Sequence, residues 1–325
     1  MLSHSFRATA AALCLFIAPA VLSQSPADFP NKPIRLITPF SAGATTDVLS
    51  RIISEKMSAD WGQPVVVDNK PGVGGMLGTE LAAKAAPDGY TLVNVISSHV
   101  VHKDLIREVP FDALKDFDPV ILLARTPLVL IVANSLPVTN TQDFIAYAKK
   151  NPGTLGYGTS GIGSAVHLTM EQFKQETKID VQHVPYKGGA PALQDVLGGH
   201  IPVVMSGLYT ATEAIKAGKV RALFVTSARR SPVFPDIPTA QESGYPGFVA
   251  DEWWGILAPK GTPASVVGKI NAEITKIFSE ADVKARTDKL SIEFIGSTPA
   301  QFGEFMQKES VKWGAVLKKA GVKPE

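Results

Sequence analysis

The residues of this chain that could do chemistry lie in short loops that precede helices. One loop, at residues 37–47, has the sequence ITPFSAGATTD and follows an apolar run typical of a strand. Gly43 lets the backbone turn, and Thr45 and Thr46 are typical of a helix start. A helix start has unpaired N–H groups and a partial positive charge, so it can receive an anion without a basic side chain. The candidate ligand-binding residues of this loop are Ser41, Ala42, Gly43, Ala44, Thr45 and Thr46.

A second stretch, at residues 156–173, repeats this design far along the chain. Its glycines alternate with Thr and Ser, and an amphipathic helix follows. Taken alone, such a loop is more often an ordinary βα connection. Two of them without Lys or Arg, about half a chain apart, indicate one anionic ligand held between two lobes. The candidate residues here are Thr159, Ser160, Gly161, Gly163 and Ser164.

Two further residues are candidates for contact with the same ligand. Lys187 is the only basic residue in a third loop, at residues 184–195, and it either pairs with a ligand carboxylate or stays exposed beside the turn. His99 follows a predicted strand at the end where α/β sheets place ligands, so it either faces the ligand or stabilises its loop. The i, i+3 spacing of His99 and His102 lacks a third ligand, so we predict no metal site. Asp47, in a first helical turn, is predicted to shape its loop rather than to contact the ligand.

These loops lie within motifs that carry a family resemblance. The chain resembles the periplasmic solute receptors of tripartite tricarboxylate transporters, also called the Bug receptors. The matching pieces run in family order at residues 39–47, 65–92, 158–168, 184–201 and 252–263, the last reading EWWGILAPKGTP. Ala44 stands where the family loop usually has a second glycine. The resemblance implies a type II periplasmic-binding-protein fold, a ligand held partly through ordered waters, and a pair of membrane subunits as partner.

The order of predicted elements agrees with that fold. Strand and helix signals alternate, which predicts an α/β fold with helices covering the sheets. With the resemblance, we expect a two-lobed type II-like fold with the ligand cleft between the lobes. Residues 26–125 are the first part of lobe 1, residues 126–248 form lobe 2, and residues 249–325 return to lobe 1. The predicted crossings are a long strand, broken at Pro127, and the segment before Trp253.

Composition and the first residues bear on location and chemistry. Residues 1–25 look like a secretory signal, with Arg7 before an apolar run too short to span a bilayer. The single cysteine, Cys14, lies in that segment, so the mature chain is expected to use no disulfide, thiol or cysteine-bound metal. No basic run is interleaved with aromatics, which argues against nucleic acid. We expect a periplasmic monomer with no cofactor.

The function predicted from the sequence is capture of a small carboxylate for uptake by a tripartite tricarboxylate transporter. The alternatives are an α/β enzyme acting on a carboxylate, with Ser164 or His167 in a chemical role, and a sensory ligand-binding subunit. The hydrolase elbow G-x-S-x-G fails at Ile162, and the glycines near residue 75 miss the dinucleotide spacing. Di- and tricarboxylates, amino acids and aromatic acids are the candidate ligands. Trp253 and Trp254, one of them expected to wall the cleft, together with His99 and Ala44 favour an aromatic dicarboxylate such as terephthalate.

Overall fold

The computed structural model describes residues 29–324, so the predicted signal at residues 1–25 lies outside the described residues. The strands are β1 (Ile34–Thr38), β2 (Val65–Asn69), β3 (Thr91–Ile96), β4 (Phe117–Ala133), β5 (Gly156–Thr159), β6 (Gln182–Pro185), β7 (Val203–Gly207), β8 (Val220–Val225), β9 (Asp251–Pro259) and β10 (Glu293–Phe294). The α-helices are α1 (Thr45–Trp61), α2 (Met76–Ala83), α3 (His102–Leu105), α4 (Thr141–Lys150), α5 (Ala165–Thr177), α6 (Gly189–Leu197), α7 (Leu208–Lys216), α8 (Ala264–Phe278), α9 (Ala281–Lys289) and α10 (Pro299–Lys319). The predicted α/β class is therefore confirmed.

The strands form one curled sheet in the order β2-β1-β3-β9-β4-β7-β5-β6, with β8 and β10 also paired to β4. β1, β2 and β3 are parallel, as are β5, β6 and β7. Because parallel strands end at the same edge of a sheet, the loops that lead into α1 and α5 each lie at such an edge. The alternation of strands and helices along the chain agrees with the alternating signals in the sequence.

Hydrophobic cores divide the molecule into two lobes. Two clusters hold the first lobe, one between the sheet and α1 with α8, the other beneath α10. Two more hold the second lobe and are built from residues of β4 to β8 and α4 to α7. The change from one set to the other falls between Ala124 and Leu128 in β4, near the predicted boundary at residue 125. The full set of predicted boundaries remains a prediction.

β4 is continuous, so the predicted break at Pro127 is wrong. Pro127 pairs with Asp251 of β9, and the next residue, Leu128, begins the pairing with β7. A proline has no N–H to donate, and here that gap falls where the strand exchanges one partner for another. The proline therefore marks the passage between lobes rather than the end of a strand.

A threonine ties the two crossings together beside this passage. The hydroxyl of Thr226 accepts a hydrogen bond from the Leu128 N–H at 2.8 Å and donates to the Ala250 carbonyl. The Ala250 N–H in turn donates to the Thr226 carbonyl. Both connections between the lobes are thus held to one buried side chain.

Some element boundaries differ from the sequence prediction. The sequence predicts an N-cap at Thr262 and a first-turn proline at Pro263 before a helix from Val266 to Phe278. The structure begins this helix at Ala264, with Pro263 as its N-cap. The short elements α3, α9 and β10 were not predicted, because their apolar periodicity is too brief or too weak to see. A search of the helices within residues 29–324 finds none with the length and apolar character to cross a membrane.

Packing at the crossing yields a testable prediction. A Cβ on Gly255 of β9 would lie 2.1 Å from Cζ of Phe302 in α10, so Gly255→Ala forces overpacking. We expect it to lower the free energy of unfolding by about 1–3 kcal/mol, measured by urea denaturation.

Gly268→Ala in α8 is the matched control, because a Cβ there meets no atom within 4 Å. In a helix interior that change is expected to be neutral or to stabilise by up to about 1 kcal/mol. Equal stabilities for the two variants would show that β9 and α10 are not packed as described.

Candidate functional site

The loop before α1 is held by a buried carboxylate. Oδ2 of Asp47 accepts hydrogen bonds from the Gly43 N–H at 2.9 Å and from Nε of Arg51 at 2.8 Å. Oδ1 accepts from Nδ2 of Asn69 at 2.9 Å. Burial would raise the pKa of Asp47, but the hydrogen bonds from Arg51, Gly43 and Asn69 hold it below its ordinary value. As predicted, Asp47 shapes the loop, and an asparagine would turn an amide against one of these donors.

The loop before α5 is held by an imidazole. Nδ1 of His167 accepts a hydrogen bond from the Gly163 N–H at 3.2 Å. The hydroxyl of Ser164, the N-cap residue, donates to the Gly161 carbonyl at 2.6 Å and accepts from the His167 N–H. The loop is therefore closed on itself before any ligand arrives.

The two loops share one backbone geometry. Gly43 and Gly163 have positive φ angles of 83° and 76°. The N-cap residues that follow, Ala44 and Ser164, have nearly equal angles, with φ −67° and ψ 158° in the first and φ −65° and ψ 156° in the second. In each loop the glycine N–H donates to the side chain four residues later. The sequences do not align, yet the structure builds the same device in both lobes.

A buried polar network supports the second loop. The rings of His167 and His183 stack at 4.1 Å, and Nε2 of His183 contacts the Thr159 hydroxyl at 2.6 Å. Behind them Tyr157 donates to Glu171 at 2.6 Å. Burial, and then the charge of Lys174, lowers the pKa of His167 to about 4. Burial, and then His167, lowers the pKa of His183 to about 3, so both rings are neutral at neutral pH.

These internal bonds divide the predicted site residues into two sets. The groups already engaged are the N–H of Gly43, Ala44, Gly161 and Gly163 and the hydroxyls of Thr46, Thr159 and Ser164. In the part of the chain that the structure describes, other donors at the two helix starts have no partner within the protein. They are the N–H groups of Thr45, Thr46, Ala165 and Val166 and the hydroxyls of Ser41, Thr45 and Ser160.

Two predicted site residues, Ala42 and Lys187, are exposed to solvent. Ala42 is exposed beside Ser41, and its contribution is limited to its backbone. Lys187 is exposed, and its loop packs on the second one, since the Tyr186 N–H donates to the Thr159 carbonyl at 3.1 Å. The side chain of Lys187 makes no ion pair with any residue in the range 29–324. Its predicted contact with a ligand carboxylate remains a prediction.

Of the two roles expected of His99, the structure supports the stabilising one, and the ligand-facing expectation is corrected because the side chain is buried. Its side chain is buried, stacks on Phe111 at 5.9 Å between ring centroids, and contacts the Ala113 carbonyl through Nε2 at 2.9 Å. Burial, and then the neighbouring His102, lowers the pKa of His99 to about 3. His99 lies in a 3-10 turn at Ser97–Val101 that follows β3, and the residues of this turn are buried in the first lobe.

Neither tryptophan of the crossing offers a face to the cleft. Trp253 packs in the core beneath α10 and donates to Glu309, and Trp254 packs in the core beside α1. Nε1 of Trp254 donates to the Thr46 hydroxyl at 3.1 Å. This bond joins β9, which crosses between the lobes, to the start of α1. The preference for an aromatic ligand rested on these rings, His99 and Ala44, and the buried positions of the tryptophans and of His99 remove three of these four supports.

Sequence reasoning did not select Glu252, which the structure places at the crossing. Its Oε2 lies 3.5 Å from the position that a Cβ on Gly207 would take, at the start of α7. The signal that could have drawn attention to it is an acidic residue entering an otherwise apolar strand.

The arrangement can bind an anion but does not assemble a nucleophile. The Ser164 hydroxyl donates to a carbonyl, and Nδ1 of His167 is occupied by the Gly163 N–H, so neither is free to form a Ser–His pair. Within residues 29–324, no group of three His, Cys, Asp or Glu side chains is placed to hold a metal ion. Cavities of about 230 Å³ and 630 Å³ beside α3 and α10 contain none of the predicted ligand-binding residues.

The sequence of this chain is similar to the sequences of known proteins. A sequence profile described as "Tripartite tricarboxylate transporter family receptor" matches residues 49–322. Protein BugT of Bordetella pertussis is 36% identical over 318 residues, which is 96% of this chain and 97% of BugT.

Solved structures with similar sequences have the same fold. Rpa4515 of R. palustris, solved with adipate, is 35% identical with a TM-score of 0.83 and covers 92% of this chain and 100% of its own. MatC of Rhodopseudomonas palustris, solved with bound malate, is 32% identical with a TM-score of 0.79 and covers 89% of this chain and 100% of its own.

The buried histidines of the second loop predict a pH dependence of stability. In the unfolded chain histidine has a pKa of about 6.5. In the folded protein the pKa is about 4 for His167 and about 3 for His183. Stability is therefore full above about pH 6.5 and falls as the pH drops toward about 4, because the unfolded state then binds more protons. His167→Asn keeps an acceptor for the Gly163 N–H but does not titrate, so its free energy of unfolding should fall less over this window.

Urea denaturation at a series of pH values measures this difference. His200→Asn, at an exposed site, is the control and should keep the wild-type slope. A His167→Asn slope equal to that of the wild type would show that the ring is not buried in its neutral form.

Proposed function

The chain belongs to the tripartite tricarboxylate transporter receptor family, and we propose that it is a periplasmic solute-binding protein that captures a small organic carboxylate for uptake by a tripartite transporter. The observation that carries the proposal is the pair of helix starts on the two lobes. Both leave N–H and hydroxyl donors without a protein partner, and neither has a basic side chain in its loop. Such a site receives a carboxylate through hydrogen bonds and the helix dipole.

The ligands of the similar structures support the carboxylate class. Adipate and malate are the compounds with which Rpa4515 and MatC were solved, and both are carboxylates. Backbone donors tolerate varied carboxylates, especially where water bridges some contacts. The exact ligand of this chain is a separate question from its class.

The proposed mechanism is capture by closure. Each helix start supplies only part of the donor set, so a ligand that reaches both favours the form in which the lobes meet. A contact between the lobes lies beside the second loop, because a Cβ on Gly163 would be 2.2 Å from Cδ1 of Leu105 in α3. Only glycine allows this approach of the loop to the first lobe.

Location and partners follow from the same proposal. The signal-like residues 1–25 support export, and the family name supports membrane subunits of a tripartite transporter as partners. The chain would act without chemical turnover, as a receptor whose closed form the transporter recognises.

A thermal-shift and turnover experiment tests the proposal. Purified protein is screened with a panel of carboxylates, and a true ligand at one hundred times its Kd should stabilise the fold by about 2.7 kcal/mol. The ligand should be recovered unchanged after prolonged incubation. Its conversion to product would reject the receptor function in favour of an enzyme.

A pair of glycine variants tests closure. Gly163→Ala should weaken carboxylate binding because its methyl group meets Leu105, with a loss of about 1–3 kcal/mol. Gly43→Ala is the matched control, since it has the same backbone strain but no atom within 4 Å of the added Cβ. Isothermal calorimetry measures the affinities, and small-angle scattering measures the decrease in radius of gyration on ligand binding.

Leu105→Ala makes this test specific. Combined with Gly163→Ala it should restore binding and compaction, because the steric conflict is removed. If the double variant stays as weak as Gly163→Ala, the loss comes from backbone strain and the lobes need not meet at this point.

A further inference from the structure

Glu252 lies at the crossing between the lobes, on the face of β9 that packs toward α1. It is the second residue of β9 and pairs with Thr126 of β4 at the crossing. Side chains alternate along a strand, so Glu252 shares its face with Trp254, whose indole donates to the Thr46 hydroxyl. The carboxyl is therefore directed to the side of the sheet that carries the first anion-receiving helix start.

The same carboxyl reaches the second lobe. Its Oε2 lies 3.5 Å from the Cβ position of Gly207, which is the N-cap of α7, and Oγ1 of Thr210 lies 3.8 Å from that position. Thr210 Oγ1 is also 3.6 Å from the Cβ position of Gly189, the first residue of α6. Glu252 of β9 thus lies next to the starts of α6 and α7 in the second lobe.

The carboxyl has no partner of its own. Among the residues that the structure describes, none donates a hydrogen bond to Glu252 or forms an ion pair with it, and burial alone raises its pKa to about 7. Its side chain nevertheless keeps partial access to solvent. A group crowded by protein, still reachable and unpaired, is poised for a partner that arrives from the cleft.

The adjacent acidic residue shows the contrast. Asp251 lies on the opposite face of β9, 3.6 Å from Arg125. Burial, opposed by Arg125 and helped by Glu293 and Glu309, raises the pKa of Asp251 to about 6. No charged group on β4, α1, α6 or α7 in the described chain shifts the pKa of Glu252. Among the described residues, none neutralises the charge of Glu252.

We propose that Glu252 determines specificity, and that it selects a carboxylate ligand whose other end carries an ammonium group. This inference rests on the proposed function, in which the helix starts hold the carboxylate. An ammonium would supply the missing partner and neutralise a buried charge, whereas a second ionised carboxylate would meet a like charge in a crowded site. A site built to bond a donor discriminates strongly against an analogue that lacks it.

Matched ligand pairs test the proposal on the mature full-length protein. The probes are ω-aminoalkanoates and dicarboxylates of equal chain length, for example 5-aminopentanoate and adipate, measured by isothermal calorimetry near neutral pH. The wild type should prefer the aminocarboxylate, and Glu252→Gln should weaken it by roughly tenfold or more while removing the preference. Asp251→Asn, on the opposite face of the strand, is the control and should keep the preference.

The number of protons released or taken up on binding gives a second test. An ammonium ligand and a dicarboxylate are expected to change it in opposite directions. In buffers of different ionisation enthalpy, an ammonium ligand should release protons from the fraction of Glu252 that is protonated, and this release should vanish in Glu252→Gln. Proton uptake with preferred binding of the dicarboxylate would overturn the inference, because Glu252 would then act as a neutral donor, while carboxylate capture would stand. A preference that survives in Glu252→Gln would also overturn it. No binding of either series or of any other carboxylate would overturn the proposed function itself.

Discussion

A helix start can bind an anion only while its N–H groups remain unpaired, and this constraint organises both lobes. The loop that leads into such a helix must then be held by something other than those N–H groups. In this chain the glycine before each N-cap residue supplies its own N–H to a side chain in the first helical turn. This bond holds the turn of each loop, and the next N–H groups have no partner among the described residues.

The two lobes solve this problem with different chemistry. Asp47 is a carboxylate supported by Arg51 and Asn69, whereas His167 is a neutral imidazole supported by the stack on His183. A carboxylate beside an anion site would repel the ligand, but Asp47 is buried and already neutralised in part by Arg51. A neutral ring adds no charge at all. In the proposed function, both solutions keep strong fixed charge away from the two loops and leave recognition to dipoles and hydrogen bonds.

The two strands that cross between the lobes add a charged side chain, which the two loops before α1 and α5 do not offer to a ligand. β4 and β9 carry the chain between the lobes, and Trp254 ties β9 to the start of α1. Because the same strand carries Glu252, that carboxyl is fixed to a strand that joins the two lobes. Class recognition through the helix starts and discrimination through the hinge are therefore separable properties of one cleft.

The sequence by itself determined the α/β class, the family and the two loop–helix units, because strand and helix periodicity and glycine-rich loops are local patterns. It also indicated that Asp47 shapes its loop, because the bond from the Gly43 N–H to Asp47 spans only four residues. Burial and partners are decided by distant segments, and here the sequence misled: His99 is drawn into the first lobe against Phe111, and both tryptophans enter cores. It showed that the two loops have a similar design, but their nearly equal dihedral angles and their matching bonds to a side chain four residues later are seen only in the structure. Nor could it single out Glu252, because only the tertiary structure brings β9 against the start of α7 and leaves that carboxyl without a partner.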